Sequence, residues 1–176
     1  IASFTDTAYV LFCTLNFSVV TPAIFSTTEL LMSFSWINRP RPGPKVGRQP
    51  IPRLGFHLAG WPMLFFTIWK PQYGAAFIWM SLYFILDPLN CYLKRPCLLS
   101  QTARGDWRLV CGLWLAALVC GFCWEMWNYY AVPKWVYHVP FLDDWHVFEM
   151  PLAGYLGYLP FSLEIYVLYF LIMGNR

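Results

Sequence analysis

Five apolar runs, at 8–35, 54–70, 73–90, 107–132 and 150–173, alternate with shorter polar stretches along the chain. A helix needs about 20 apolar residues to cross a hydrocarbon core of about 30 Å. The first, fourth and fifth runs clear that length. The second and third are short and meet at Lys70-Pro71-Gln72, which predicts a helical hairpin whose two arms both span. The pattern predicts an all-α fold, a polytopic transmembrane helical bundle of about five spans. A single domain covers 1–176, with no separate soluble domain.

The polar stretches set the orientation. Residues 36–53 carry Arg39, Arg41, Lys45, Arg48 and Arg53 without an acid, and 91–108 carry Lys94, Arg95, Arg104 and Arg108 against Asp106. Residues 133–149 carry Lys134 against Asp143, Asp144 and Glu149. Lys and Arg in short loops stay on the cytoplasmic side. Both basic loops are therefore expected inside, with the N-terminus outside and the C-terminus cytoplasmic. Five prolines (Pro40, Pro42, Pro44, Pro50, Pro52) favour extended backbone in the first loop, read as a connector rather than a docking strip for a partner or anionic lipid. The 133–149 loop interleaves aromatic, charged and imidazole side chains. Trp and Tyr favour the headgroup layer, so it is expected to fold as an aromatic cap in the outer interface.

Composition agrees with this solvent. The chain is 59% hydrophobic, 20% aromatic and 12% charged, against about 25% charged in soluble domains. The net charge of +3 lies between apolar runs with no stacking platform, which excludes nucleic acid. Residues 1–25 lack a basic n-region and carry Asp6, so a cleaved signal peptide is not expected. All six cysteines are expected as free thiols. Cys13, Cys111, Cys120 and Cys123 fall in apolar runs, and Cys91 and Cys97 in a loop assigned to the reducing cytosol. Cys120 and Cys123 match C-x-x-C, but no His follows for haem and no second pair exists for zinc.

Ionisable side chains inside spans are costly and mark candidate sites. At about 1.5 Å per residue, Glu29 lies about 10 Å from the cytoplasmic end of its helix. By the same measure Asp87 and Glu164 lie about 20 Å below the outer ends of theirs. All three share one level, as a proton-handling or cation-binding cluster would. The plainer expectation is three separate carboxylates, each hydrogen-bonded or reaching toward Arg95, Arg104 or Arg108. Glu125 lies nearer the other surface, on a face with Ala117, Gly121 and Asn128, and Ala153, Gly157, Pro160, Glu164 and Leu168 make a matching face. Small residues admit close helix approach, so packing through Gly121 and Gly157 is expected, with Glu125 and Asn128 roofed by the cap. In the cap, His138, His146, Lys134, Glu149, Asp143 and Asp144 are read as a hydrogen-bond and salt-bridge cluster. The histidines are eight apart, no H-E-x-x-H occurs, and no metal is expected.

The segments Trp124-Glu-Met-Trp-Asn128, Pro133-Lys-Trp-Val-Tyr137 and Phe148-Glu-Met-Pro-Leu-Ala-Gly-Tyr-Leu-Gly-Tyr-Leu-Pro-Phe-Ser-Leu-Glu164 resemble a family of bacterial polytopic membrane proteins to which no reaction is assigned. The likeness reaches back through Leu86-Asp-Pro-Leu-Asn90 and Gly105-Asp-Trp-Arg108 and implies a multi-pass protein of the bacterial inner membrane. A fainter likeness is to the small helical domains of carotenoid (lycopene) cyclases, whose Pro-x-Glu-type motif is inverted here as Glu149-Met-Pro151. It implies Glu149, Glu164 or Glu125 as an acid that protonates a polyene end, with aromatic faces steadying the cation. The expected function is an accessory subunit of a larger membrane complex, binding membrane lipids, partner helices and a carotenoid, quinone or lipid. The alternative is a small enzyme acting on an isoprenoid or lipid. A transporter is disfavoured because the five runs show no internal repeat.

Overall fold

A computed structural model describes residues 5–39, 42–46, 50–74, 77–137 and 144–174. The chain is all-α apart from one short hairpin. Helix α1 spans Asp6–Ser33, opened by the Thr5 hydroxyl accepting from the Ala8 N–H at 3.4 Å. Helix α2 spans Pro50–Trp69, and Lys70-Pro71 turns the chain into α3, Pro71–Gly74. Helices α4, Ile78–Tyr92, α5, Leu98–Thr102, and α6, Arg108–Tyr130, follow. Strands β1, His146–Val147, and β2, Met150–Pro151, pair antiparallel. A 3-10 segment, Leu152–Gly157, then leads into α7, Tyr158–Met173.

Among the described residues, three helical stretches are long and apolar enough to cross a membrane, by length and composition: Asp6–Ser33, Arg108–Tyr130 and Leu152–Met173. Two boundaries differ from the sequence pattern. The third run begins its helix only at Ile78, because its first residues form the tight turn α3. The fifth begins as 3-10 helix, and Pro160 falls in the first turn of α7. A missing N–H loses no intrahelical partner there, so Pro160 does not break the helix.

The long helices pack as a row in the order α2, α4, α7, α6, α1. Phe56 lies against Phe84 and Phe66 against Phe77, so α2 and α4 run antiparallel. Trp79 meets the Phe161 ring at 5.0 Å, Asn90 donates to the Val167 carbonyl at 2.8 Å, and Arg95 donates to the Leu171 carbonyl. Those pairs make α4 and α7 parallel. On α6, Gly112 faces Thr28 and Met32 while Cys120 meets Thr27, so α1 runs opposite to α6. Helices α1, α4 and α7 therefore share one direction, and α2 and α6 take the other. The core gathers Ile24, Leu98, Val110, Leu113, Ala117 and Val167 where the row is thickest. Outward faces stay apolar: Leu54, Leu58, Trp61, Phe65 and Ile68 on α2 and Val10, Leu11, Leu15 and Val19 on α1 are exposed. A water-soluble monomer rarely shows patches of this kind.

The two basic loops form one layer at one end of the row. Gly43 N–H donates to the Gly105 carbonyl at 2.9 Å, Val46 N–H to Thr102 at 3.1 Å, and the Trp107 indole to Pro44 at 2.8 Å. Gly105 holds φ +80°, and a Cβ there would stand 2.9 Å from the Gly43 oxygen, so only glycine fits. The proline-rich loop is thus a fastened connector over 42–46. Cys91 and Cys97 are joined by a disulfide, which corrects the expectation of six free thiols. After α4 the chain reverses through Lys94, at φ 58°, and Pro96, which brings the two Cα atoms within 5.3 Å. Cys13, Cys111, Cys120 and Cys123 are free.

Candidate functional site

At the opposite end, one face of α6 carries Gly121, Glu125 and Asn128, all buried. A Cβ on Gly121 would stand 2.7 Å from the Tyr158 ring. The bare backbone lets that ring lie flat on α6 and carry its hydroxyl one turn along the helix. There Tyr158 Oη donates to Glu125 Oε1 at 2.7 Å. Glu125 is fully buried, and its Oε2 accepts no hydrogen bond among the described residues. A buried oxygen without a donor is uncommon and calls for an explanation.

Asn128 holds the cap in place. Its Nδ2 donates to the Trp135 carbonyl at 2.8 Å, and its Oδ1 accepts from the Trp135 N–H at 2.7 Å. Lys134 pairs with Glu149 and lies 5.1 Å from the Tyr129 ring centre, which ties both ends of the cap together. Phe148 closes the hairpin turn and packs on Phe122 at 5.3 Å and Tyr129 at 5.8 Å. Burial, and then the nearby Glu125 carboxylate, push the Tyr137 hydroxyl above its ordinary value. Beside this cluster, a groove of about 660 Å³ runs between α1 and α6. Asn16, Ala23 and Thr27 on α1 line it, with Gly121, Trp124 and Asn128 on α6, Trp135 of the cap, and Tyr158 and Phe161 on α7.

The other predicted residues scatter. Glu29 is exposed on α1, so Glu29, Asp87 and Glu164 do not form one cluster. Counting rise per residue places side chains at a level but not on a face, and α1 turns Thr28, not Glu29, toward α6. Asp87 is buried, and its two oxygens accept from the Leu98 and Leu99 N–H groups at 2.7 and 2.8 Å. It caps α5 and reaches no arginine. Glu164 is buried with Oε2 unpartnered and does not line the groove. A Cβ on Gly157 would meet nothing within 4 Å among the described residues, which corrects its close packing on Gly121. It belongs to the 3-10 segment, whose residues do not keep α-helical spacing, and Tyr158 meets Gly121 instead. His146 lies exposed on β1, while His138 and Asp143 fall outside the described residues. Among the described residues, no three His, Cys, Asp or Glu side chains gather as metal ligands.

Sequence reasoning missed Tyr158, which hydrogen-bonds Glu125 and lines the groove. It is one of several tyrosines around the start of the fifth run, and only the packing of α7 on α6 singles it out. Comparison with family models, with characterised proteins and with solved structures returns no match for this chain.

Proposed function

We propose that this chain is a multi-pass accessory subunit of a bacterial inner-membrane complex, crossing five times and holding a carotenoid, quinone or lipid in the α1/α6/α7 groove. The observation that carries this reading is the groove itself, mostly apolar and bordered by Tyr158, which hydrogen-bonds the buried Glu125. Membrane sites of this kind combine an apolar wall with a few polar groups. Alternating helix directions support five spans, since α2 and α4 reverse in turn like the three longer segments. The exposed apolar face of α2 supports contact with partner helices.

The basic layer supports a cytoplasmic location for 36–53 and 91–108, with the aromatic cap outside. The Cys91–Cys97 bond pulls the other way, because disulfides persist in oxidising compartments. Loop charge supports the cytoplasmic side, since Lys and Arg in short loops set orientation during insertion. Cysteine introduced at the exposed Asp144 should react with a membrane-impermeant maleimide from outside, and one at Ser100 only after the membrane is opened. The reverse pattern overturns the orientation.

One observation favours the enzyme as a second reading. The Glu125 carboxyl, hydrogen-bonded to the groove-lining Tyr158, would suit an acid that protonates a bound polyene. Glu149 is tied to Lys134, so Glu125 is the candidate acid. Gentle extraction from native membranes separates the two readings. The subunit should co-purify with partner proteins at fixed ratio, and Glu125→Gln should leave membrane lipids and pigments unchanged. An isolated chain, with an unmodified precursor accumulating in Glu125→Gln, would replace the subunit by the enzyme.

A further inference from the structure

Taking the groove as the binding site proposed above, we infer that its occupant is a single long apolar chain ending in one uncharged hydrogen-bonding head, a hydroxyl or carbonyl, seated at the cap end. Shape gives the chain. The lining runs from Asn16 to Thr27 along α1, a length of about 16 Å at 1.5 Å per residue. Toward its far end lie Ile24, Ala117 and Phe161, and the polar atoms there, Thr27 Oγ1 and Cys120 Sγ, face each other at 3.4 Å. Nothing at that end asks for a polar ligand group.

The cap end differs. Asn128 has both side-chain atoms committed to the Trp135 backbone. The Tyr158 hydroxyl already donates its hydrogen bond to Glu125, which leaves the lone pairs of its oxygen as acceptors at the groove wall. Asn16 stands on an apolar helix and makes no hydrogen bond among the described residues, although it lines the groove. Its exposed amide stays open to a ligand group at the cap end. A hydroxyl head would donate to Tyr158 and accept from Asn16, and a carbonyl would accept from Asn16.

Charge narrows the class. No Lys or Arg lines the groove. The cation nearest in the chain, Lys134, is engaged by Glu149 and by the Tyr129 ring. A phosphate or carboxylate head would be stripped of water with no positive partner at the groove wall, which is prohibitive in a low-dielectric site. The groove thereby selects a neutral long-chain alcohol, ketone or quinone-like molecule over ordinary anionic lipids.

The probes are ω-bromododecanol, ω-bromododecanoate and bromododecane, whose bromine quenches Trp fluorescence on contact, added to the protein in neutral-lipid nanodiscs. Trp124, Trp127 and Trp135 line the groove and report binding. The alcohol should quench saturably and bind about tenfold tighter than either other probe, the worth of one hydrogen bond made away from water. Asn16→Leu, at an exposed position that leaves packing intact, should erase the preference of alcohol over alkane. Ala23→Phe should fill the groove and abolish saturable quenching by all three. Equal or tighter binding of the carboxylate would overturn the neutral-head assignment while leaving the groove as the site. Saturable quenching that survives Ala23→Phe would instead overturn the groove reading on which the assignment rests.

Discussion

Two buried carboxylates at opposite ends of the bundle show how differently the same chemistry can be used. At the basic end, Asp87 spends both oxygens on the Leu98 and Leu99 N–H groups of a helix only five residues long. At the cap end, Glu125 accepts from Tyr158 at Oε1, while its Oε2 has no donor in hydrogen-bond geometry among the described residues. Both are fully buried, so burial does not separate them. Saturation does. A carboxylate whose acceptors are all taken by backbone is a structural cap. One that keeps an oxygen open retains capacity for a proton. The surroundings follow suit: backbone hydrogen bonds and a disulfide lock the basic layer, whereas side chains hold the cap and frame an opening.

The largest effect is expected from Asp87→Ala. It leaves two buried N–H groups without acceptors, at about 1–3 kcal/mol each, and thermal unfolding in detergent should show the loss. Glu125→Gln should cost less than about 1 kcal/mol in the same assay, because the amide oxygen still accepts from Tyr158. If the Gln variant unfolds as readily as the Ala one, the distinction between the two carboxylates is lost.

A smaller effect separates the two glycines. Gly121→Ala drives a methyl into the Tyr158 ring and should destabilise by about 1–3 kcal/mol, the usual overpacking range. Gly157 has open space and an ordinary helical backbone, φ −65° and ψ −26°. Gly157→Ala should therefore be neutral or stabilising by up to about 1 kcal/mol. Matching losses in both variants, read by unfolding midpoint, would restore a glycine-to-glycine contact and move Tyr158 away from Glu125.

The smallest concerns Asp106 in the basic layer. The Arg108 guanidinium, 2.7 Å away, holds its carboxyl down at about 2. A depressed folded-state value means the pair stabilises above the ordinary Asp range near 4 and fades as pH falls toward 2. Both side chains are partly exposed, so the contribution stays under about 1 kcal/mol. The unfolding midpoint of Asp106→Asn, subtracted from that of the parent, should shrink across that window. A difference that grows with acid would mean that other groups carry the layer.

The sequence alone determined the helical class, the five apolar runs and the common end of the two basic loops. Hydrophobic run length and Lys/Arg placement are one-dimensional quantities, and a bilayer reads them one run at a time. It also located Glu125 and Asn128 beneath the cap, because both lie near the end of a long run followed at once by Trp, Tyr and Lys. Tertiary structure decided everything that depends on azimuth and on which helices become neighbours. It turned Glu29 outward, gave Asp87 the N–H groups of a helix too short to be legible in sequence, and closed the Cys91–Cys97 turn. It replaced Gly157 by Tyr158 as the partner of Gly121. A rise of 1.5 Å per residue can be counted along a chain. The rotation that chooses one face over another is set by side chains far away in sequence, and only packing resolves it.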